Sequence, residues 1–275
     1  EGLFPNCGIE PEQGSRYNRL FHPDATAYKH LDRQAALEEV RDRLQALEND
    51  PAITSALDRI QEITGCCSIP SQQRQNIPLE KLATMISINT ANARFAITGK
   101  WPIASTLAEI MLLEYGQWPG KNAGWGQADQ TVLQEIVPLH DRIFDAIHRT
   151  PALAKAGNSE LLRHIRDTLL SDTSPALSIL VGHDTNIAGI GGLLDIGWNL
   201  PGQGPNSIFP GSFIHFGLWQ KADGSREVRI DYHAPTYLTL HTEPAPVVLP
   251  EYVHASKPAY TPEVFSQTVD DACAP

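Results

Sequence analysis

The sequence predicts an α/β protein in which a mixed sheet is flanked by helices and joined to a helical cap. Three observations point there. Apolar stripes at helical spacing dominate the first 170 or so of the 275 residues. Strand-like runs cluster after position 176. Between the two lies an apolar run, Ala176–Val181, then the polar turn Gly182-His183-Asp184-Thr185-Asn186, then a second apolar stretch, Ile187–Leu194. That order reads as buried strand, turn and helix, and in open α/β sheets ligands bind beyond the carboxyl ends of strands.

Taken in order, residues 1–30 show no period and read as a connection. Leu31–Glu48 carries Leu37, Val40, Leu44 and Leu47 on one helical stripe, with charge opposite. Pro51–Ile63 is a second helix, with Pro51 in its first turn and Gly65 just past its end. Residues 68–78 form a polar loop. Leu79–Ile97 and Ile103–Tyr115 read as apolar-rich helices, separated at Gly99–Pro102, and Trp118–Gly126 as a Gly/Trp turn. Thr131–His148 and Ser159–Leu170 are two further helices. Strands are expected at 176–181, 213–219, 226–233 and 236–241, one helix at about 186–195, and a last one near Pro262–Ala272. The cap is assigned to residues 1–155 and the rest of the core to 156–275. A doubly wound sheet needs more βα units than these, so the sheet is expected to be incomplete without strands from elsewhere.

Bulk properties narrow the function classes. The net charge of −11 argues against nucleic acid or an anionic membrane as partner. No apolar run approaches the roughly 20 residues of a membrane helix. The opening Glu1-Gly2-Leu3-Phe4 reads as a mature or trimmed start without a signal peptide. The four cysteines, Cys7, Cys66, Cys67 and Cys273, form no C-x-x-C pair, so neither a structural zinc site nor any other metal or cofactor is expected. A Cys7–Cys273 bridge would join the two ends and suit an oxidising compartment; two unpaired thiols are the alternative. The pairing of Cys66 and Cys67 stays open. His22, His30, His215, His233, His241 and His254 show no metal-ligand spacing along the chain and read as surface or packing residues. Gly189-Ile190-Gly191-Gly192 lies within a helix, where close helix–sheet packing explains it better than phosphate cradling.

The run from Gly182 to Gln203, His-Asp turn included, resembles the C-terminal signature of the bacterial histidine acid phosphatases, and is most similar to their periplasmic phytase branch. Further similarity lies at Leu107–Tyr115, Gly124–Gly126, Leu139-His140, Arg149-Thr150-Pro151, Phe209–Gly211 and Phe265–Cys273. The resemblance implies a phosphoglycerate-mutase-like architecture and hydrolysis of phosphate monoesters through a phosphohistidine. The expected substrate is an inositol phosphate or a sugar phosphate, and the expected location periplasmic or secreted. It makes His183 the phosphoryl ligand and Asp184 the acid that protonates the leaving alcohol. Thr185 and Asn186 would shape the pocket and His140 would reach the substrate. Cys7 and Cys273 fall where such enzymes join the ends of this region.

Departures matter as much. The family's nucleophile motif, Arg-His-Gly-x-Arg-x-Pro, does not occur in these 275 residues. Its nearest string, Arg163-His164-Ile165-Arg166, reads as the solvated basic face of a helix. The nucleophile is therefore expected from an N-terminal fragment of the same enzyme, and a catalytically inactive remnant of the same fold is the alternative. A metal-dependent phosphoesterase would need paired Asp and His motifs, which the sequence lacks. The run Gly211-Ser212-Phe213 and the stretch Ala156-Gly157-Asn158 depart from the phytase pattern and leave substrate preference open.

Overall fold

A computed structural model describes residues 20–21, 27–28, 31–65, 78–88, 95–242 and 252–274. The first part is helical. α1 (Arg33–Leu47) starts where the Asp32 carboxylate accepts the Ala35 N–H, and α2 (Pro51–Thr64) where Asp50 accepts that of Ala52. Each cap satisfies a donor that the first turn would otherwise leave unpaired. Gly65 closes α2 at φ 59°, the left-handed cap that glycine takes without a Cβ penalty.

Residues 79–88 and 95–97 do not form the expected helix. After one 3-10 turn, β1 (Met85–Ile88) pairs antiparallel with β2 (Phe95–Thr98), in the register Met85↔Thr98 to Ile88↔Phe95. Apolar content suggested a helix, but Met85-Ile86-Ser87-Ile88 is a four-residue run with β-branched residues at every second position, which suits a pleated strand. α3 (Lys100–Gln117) begins immediately after Gly99. The short α4 (Ala123–Gly126) sits in the Gly/Trp turn, and α5 (Gln130–His148) follows, capped by Asp129. Val40, Leu44, Ile60, Trp101, Met111, Leu133, Ile136 and Ile143 from these helices make one buried core, which Phe209 and Tyr237 complete.

α6 (Pro151–Leu170) starts earlier than the expected Ser159 and runs through position 155, so the proposed cap boundary lies inside a helix. Residues 176–181 are not a buried strand. They pair with no strand among the described residues, and Leu177, Ile179, Leu180 and Val181 are exposed, Val181 at 82%. An apolar strand is hidden only when neighbours flank it, and no described strand does so. α7 (Asp184–Leu193) follows at once.

β3 (Phe213–Gln220) and β4 (Arg226–Pro235) form an antiparallel hairpin in the register Phe213↔His233 to Gln220↔Arg226. Residues 236–241 are not a strand: the Thr236 hydroxyl accepts the Thr239 N–H at 3.0 Å and starts the one-turn α8 (Tyr237–Leu240). β5 (Tyr252–Ser256), not expected, adds to the free edge of β4. α9 (Pro262–Ala272) ends the described chain as expected. The hairpin turns Val228 and Ile230 towards Leu161, Leu162, Ile190, Phe265 and Val269, a second core. The α/β architecture thus holds, although both described sheets are small and antiparallel. Among the described residues no helix is long and apolar enough to cross a membrane.

Arg163 and Arg166 are half-buried and tie α6 to α9 rather than forming a solvated face: Arg163 donates to the Cys273 carbonyl at 2.6 Å, and Arg166 pairs with Asp167 and Asp270. Cys273 is a buried free thiol, its Sγ 3.7 Å from the Ser159 carbonyl oxygen. Cys7, Cys66 and Cys67 lie outside the described residues, as do His22 and His30.

Candidate active site

His183 and Asp184 occupy the start of α7. His183 is the N-cap, with extended backbone at φ −117° and ψ 165°. Its imidazole stands at the surface, and Asp184, the first helical residue, is half-buried. The helix dipole at such an end favours an anion. One Asp184 oxygen accepts the N–H of Thr185 at 2.7 Å.

Asn186 is buried and committed to the scaffold. Its Oδ1 accepts the His183 N–H at 2.9 Å and its Nδ2 donates to Asn158 Oδ1 on α6 at 3.2 Å. This locks the turn carrying His183 to α6 and leaves the carboxamide bound to protein rather than open to a ligand.

The glycines of α7 let it approach its neighbours closely. A Cβ on Gly189 would stand 1.9 Å from Asn158 Nδ2, and one on Gly191 would stand 2.1 Å from Arg149 Nη1. Gly192 lies equally tight on the Arg149 backbone. The packing role expected of this glycine run is present, but the surfaces it meets are α6 and the end of α5, not a sheet. Arg149 is held there by Asp145 at 2.8 Å and by donation to the Ile196 carbonyl at 2.7 Å.

α3 and α5 bring further titratable groups under the influence of Asp184. His140 is buried, with Nδ1 2.8 Å from the Ser105 hydroxyl of α3. Burial lowers its pKa, and the Asp184 charge opposes that. His148, two turns along the same face, is pushed down to about 4 by burial, again against Asp184. The Phe144 ring lies between the two imidazoles, 5.1 Å from His140 and 4.2 Å from His148. Glu109, one turn beyond Ser105, has its carboxyl raised by burial and by the Asp184 charge.

Three helices thus supply Asp184, Glu109, His140 and His148 as one electrostatic group. Sequence reasoning singled out Asp184 and His140 and missed the other two. The available signal was the i, i+4, i+8 series His140, Phe144, His148. Glu109 carried no signal of its own outside the Leu107–Tyr115 similarity. Thr185 is half-buried in the first turn of α7.

Comparison with known proteins gives a consistent picture. No family model matches the chain. It is 27% identical over 279 residues to Phytase AppA of Escherichia coli (strain K12), covering 90% of this chain and 64% of that protein. It is 22% identical to the glucose-1-phosphatase of Salmonella typhimurium, covering 84% of this chain and 57% of that one. The chain therefore spans less than two thirds of the length of these curated relatives. Among solved structures, the apo form of Hafnia alvei phytase superposes with a TM-score of 0.76 at 27% identity, over 93% of this chain and 68% of that one. The same phytase in complex with myo-inositol hexakis sulphate gives 0.77 at 26% identity, over 98% and 73%. The Citrobacter braakii phytase, at 21% identity, matches in fold with a TM-score of 0.80 over 98% and 73%. These relatives and neighbours are of the histidine acid phosphatase family, which bears out the resemblance read from residues 182–203.

Proposed function

We propose that this chain, a relative of the histidine acid phosphatases, carries the phosphate-binding and proton-donating half of an acid phosphomonoesterase. The observation that supports it most is the placing of His183 and Asp184 at the start of α7, a pre-formed anion end coupled electrostatically to His140, His148 and Glu109.

In this reading a histidine nitrogen attacks phosphorus, the bond from phosphorus to the ester oxygen breaks, and the Asp184 carboxyl gives its proton to the leaving alkoxide. An alkoxide leaves poorly, so a positioned acid lowers that barrier. His183 and the positive end of the α7 dipole stabilise the phosphoryl oxygens as charge builds on them. Water then attacks the phosphohistidine, loses its proton to the Asp184 carboxylate, and releases phosphate. Thr185 shapes the pocket wall, Asn186 contributes by fixing the His183 turn, and His140 borders the substrate from α5. The Hafnia phytase complexed with myo-inositol hexakis sulphate favours an inositol phosphate here, and the glucose-1-phosphatase relative keeps a sugar phosphate as the other substrate. Activity favours acid pH, and the setting is periplasmic or secreted, where the Cys273 thiol, free in the structure, would pair with Cys7.

The nucleophile is supplied by polypeptide outside these 275 residues, since they contain no Arg-His-Gly. The exposed apolar run Leu177–Val181 supports that reading, because such a segment would cover it. The same missing motif favours one competing reading, an inactive remnant of this fold. Intact-mass analysis and N-terminal sequencing of native material, with phosphatase assays in EDTA, separate them. The proposal expects an Arg-His-Gly polypeptide in active material and no activity from the 275 residues alone. Activity of the 275 residues alone in EDTA would overturn it.

A further inference from the structure

The β3–β4–β5 sheet carries a cluster that the proposed phosphatase chemistry does not use. Side chains alternate between the faces of a strand. The register pairs His215 with Asp231 across β3 and β4, and His233 with His254 across β4 and β5. Asp231 and His233 are two residues apart on β4, so all four side chains stand on one face, opposite the face packed on the second core. His215 and His254 are exposed, and Asp231 and His233 half-buried.

We propose that His215, Asp231 and His233 form a binding site for a divalent transition ion of the zinc type. One ligand atom from each of the three lies within 4.8 Å of the others. His215 Nδ1 and Asp231 Oδ2 are 3.6 Å apart. Zinc–nitrogen and zinc–oxygen bonds of about 2.0–2.2 Å put neighbouring donors roughly 3.3 Å apart in a tetrahedral shell. Small side-chain rotations close the difference. Imidazole and carboxylate donors together suit zinc, nickel or copper and not magnesium or calcium, which take oxygen.

The surroundings fit a ligand set. The His233 ring lies between Phe213, 4.8 Å away, and His254, 5.5 Å away, both near parallel to it, which restrains its orientation. Gly217 stands next to His215 on the same face, where a Cβ would meet the His215 ring at 2.9 Å; the missing side chain leaves that ring room to turn. Chain spacing hid the set: 215, 231, 233 and 254 come together only through the register of three strands. The bound ion would act as a clip across those strands, stabilising the folded state that holds it.

Calorimetric titration of the natural polypeptide that carries these 275 residues with zinc chloride, after chelator treatment and dialysis, tests this. Cobalt(II) serves as a second probe through its visible absorption. The proposal expects one ion per chain and a rise in Tm with zinc but not magnesium. It expects at least about a tenfold loss of affinity in His215→Gln and in His233→Gln. Both are tested because His215 is exposed and its replacement leaves the fold intact. No saturable zinc binding by the wild-type chain, or equal affinity in His215→Gln and wild type, would overturn it.

Discussion

The Asn186 carboxamide accepts the His183 backbone N–H at 2.9 Å. A residue read from the sequence as lining a pocket thus holds in place the residue read as binding phosphate. Replacing Asn186 by Ala leaves that N–H unpaired and breaks the link to Asn158. Loss of a capping interaction costs about 1 kcal/mol, so the urea midpoint of Asn186→Ala falls. An unchanged midpoint would show that the turn holds itself.

Gly189 and Asn158 are coupled by space. Gly189→Ala drives a methyl into Asn158 Nδ2, and overpacking of this kind costs about 1–3 kcal/mol. In an Asn158→Ala background the same change costs less, because the obstructing amide is gone. Chemical denaturation of the four members of this double-mutant cycle measures the difference, and strict additivity would contradict the packing account.

Asp141 gives stability a slope with pH. Burial raises its pKa from the ordinary 3.8 to about 8, against the hydrogen bond from Ser207. The folded state therefore holds a proton that the unfolded chain releases near 4. This contribution is present in full below about pH 4 and is lost as pH rises through 8. Asp141→Asn, which keeps an acceptor for Ser207, flattens the fall in stability over that window. Unfolding curves across the pH range check it, and a slope as steep as wild type would contradict it.

His148 acts in the opposite sense. Burial depresses its pKa from 6.5 to about 4. Its contribution is present above 6.5 and lost as pH falls towards 4. His148→Phe keeps a ring beside Phe144 and removes the titration, so that variant loses less stability than wild type on acidification across this window. Equal losses would place the acid sensitivity elsewhere.

Helices with a stripe or a terminal signal were legible from residue types alone: α1 through Val40 and Leu44, α2 through Pro51 and Gly65, α9 near Pro262. The misread segments were those where neighbours decide. Ala176–Val181 has the composition of a core strand, but composition does not say what lies beside it. Residues 85–98 are apolar enough for a helix, and only the period of two in Met85–Ile88 marks the hairpin. In the site, the His183-Asp184 turn was legible because its residues are contiguous. Glu109 and His148 were not, because helix packing and burial bring them under the Asp184 charge. Asn186 was visible as a residue and not as a role, since its partner Asn158 lies 28 positions away.

The most direct test of the acid role is the leaving-group dependence of Asp184→Asn in the natural polypeptide that includes the Arg-His-Gly segment. Hydrolysis of an alkyl phosphate, whose alkoxide needs a proton to leave, is expected to slow by about 100-fold or more. Hydrolysis of p-nitrophenyl phosphate, whose phenolate leaves unaided, is expected to slow much less. Equal loss on both substrates would contradict Asp184 as the acid.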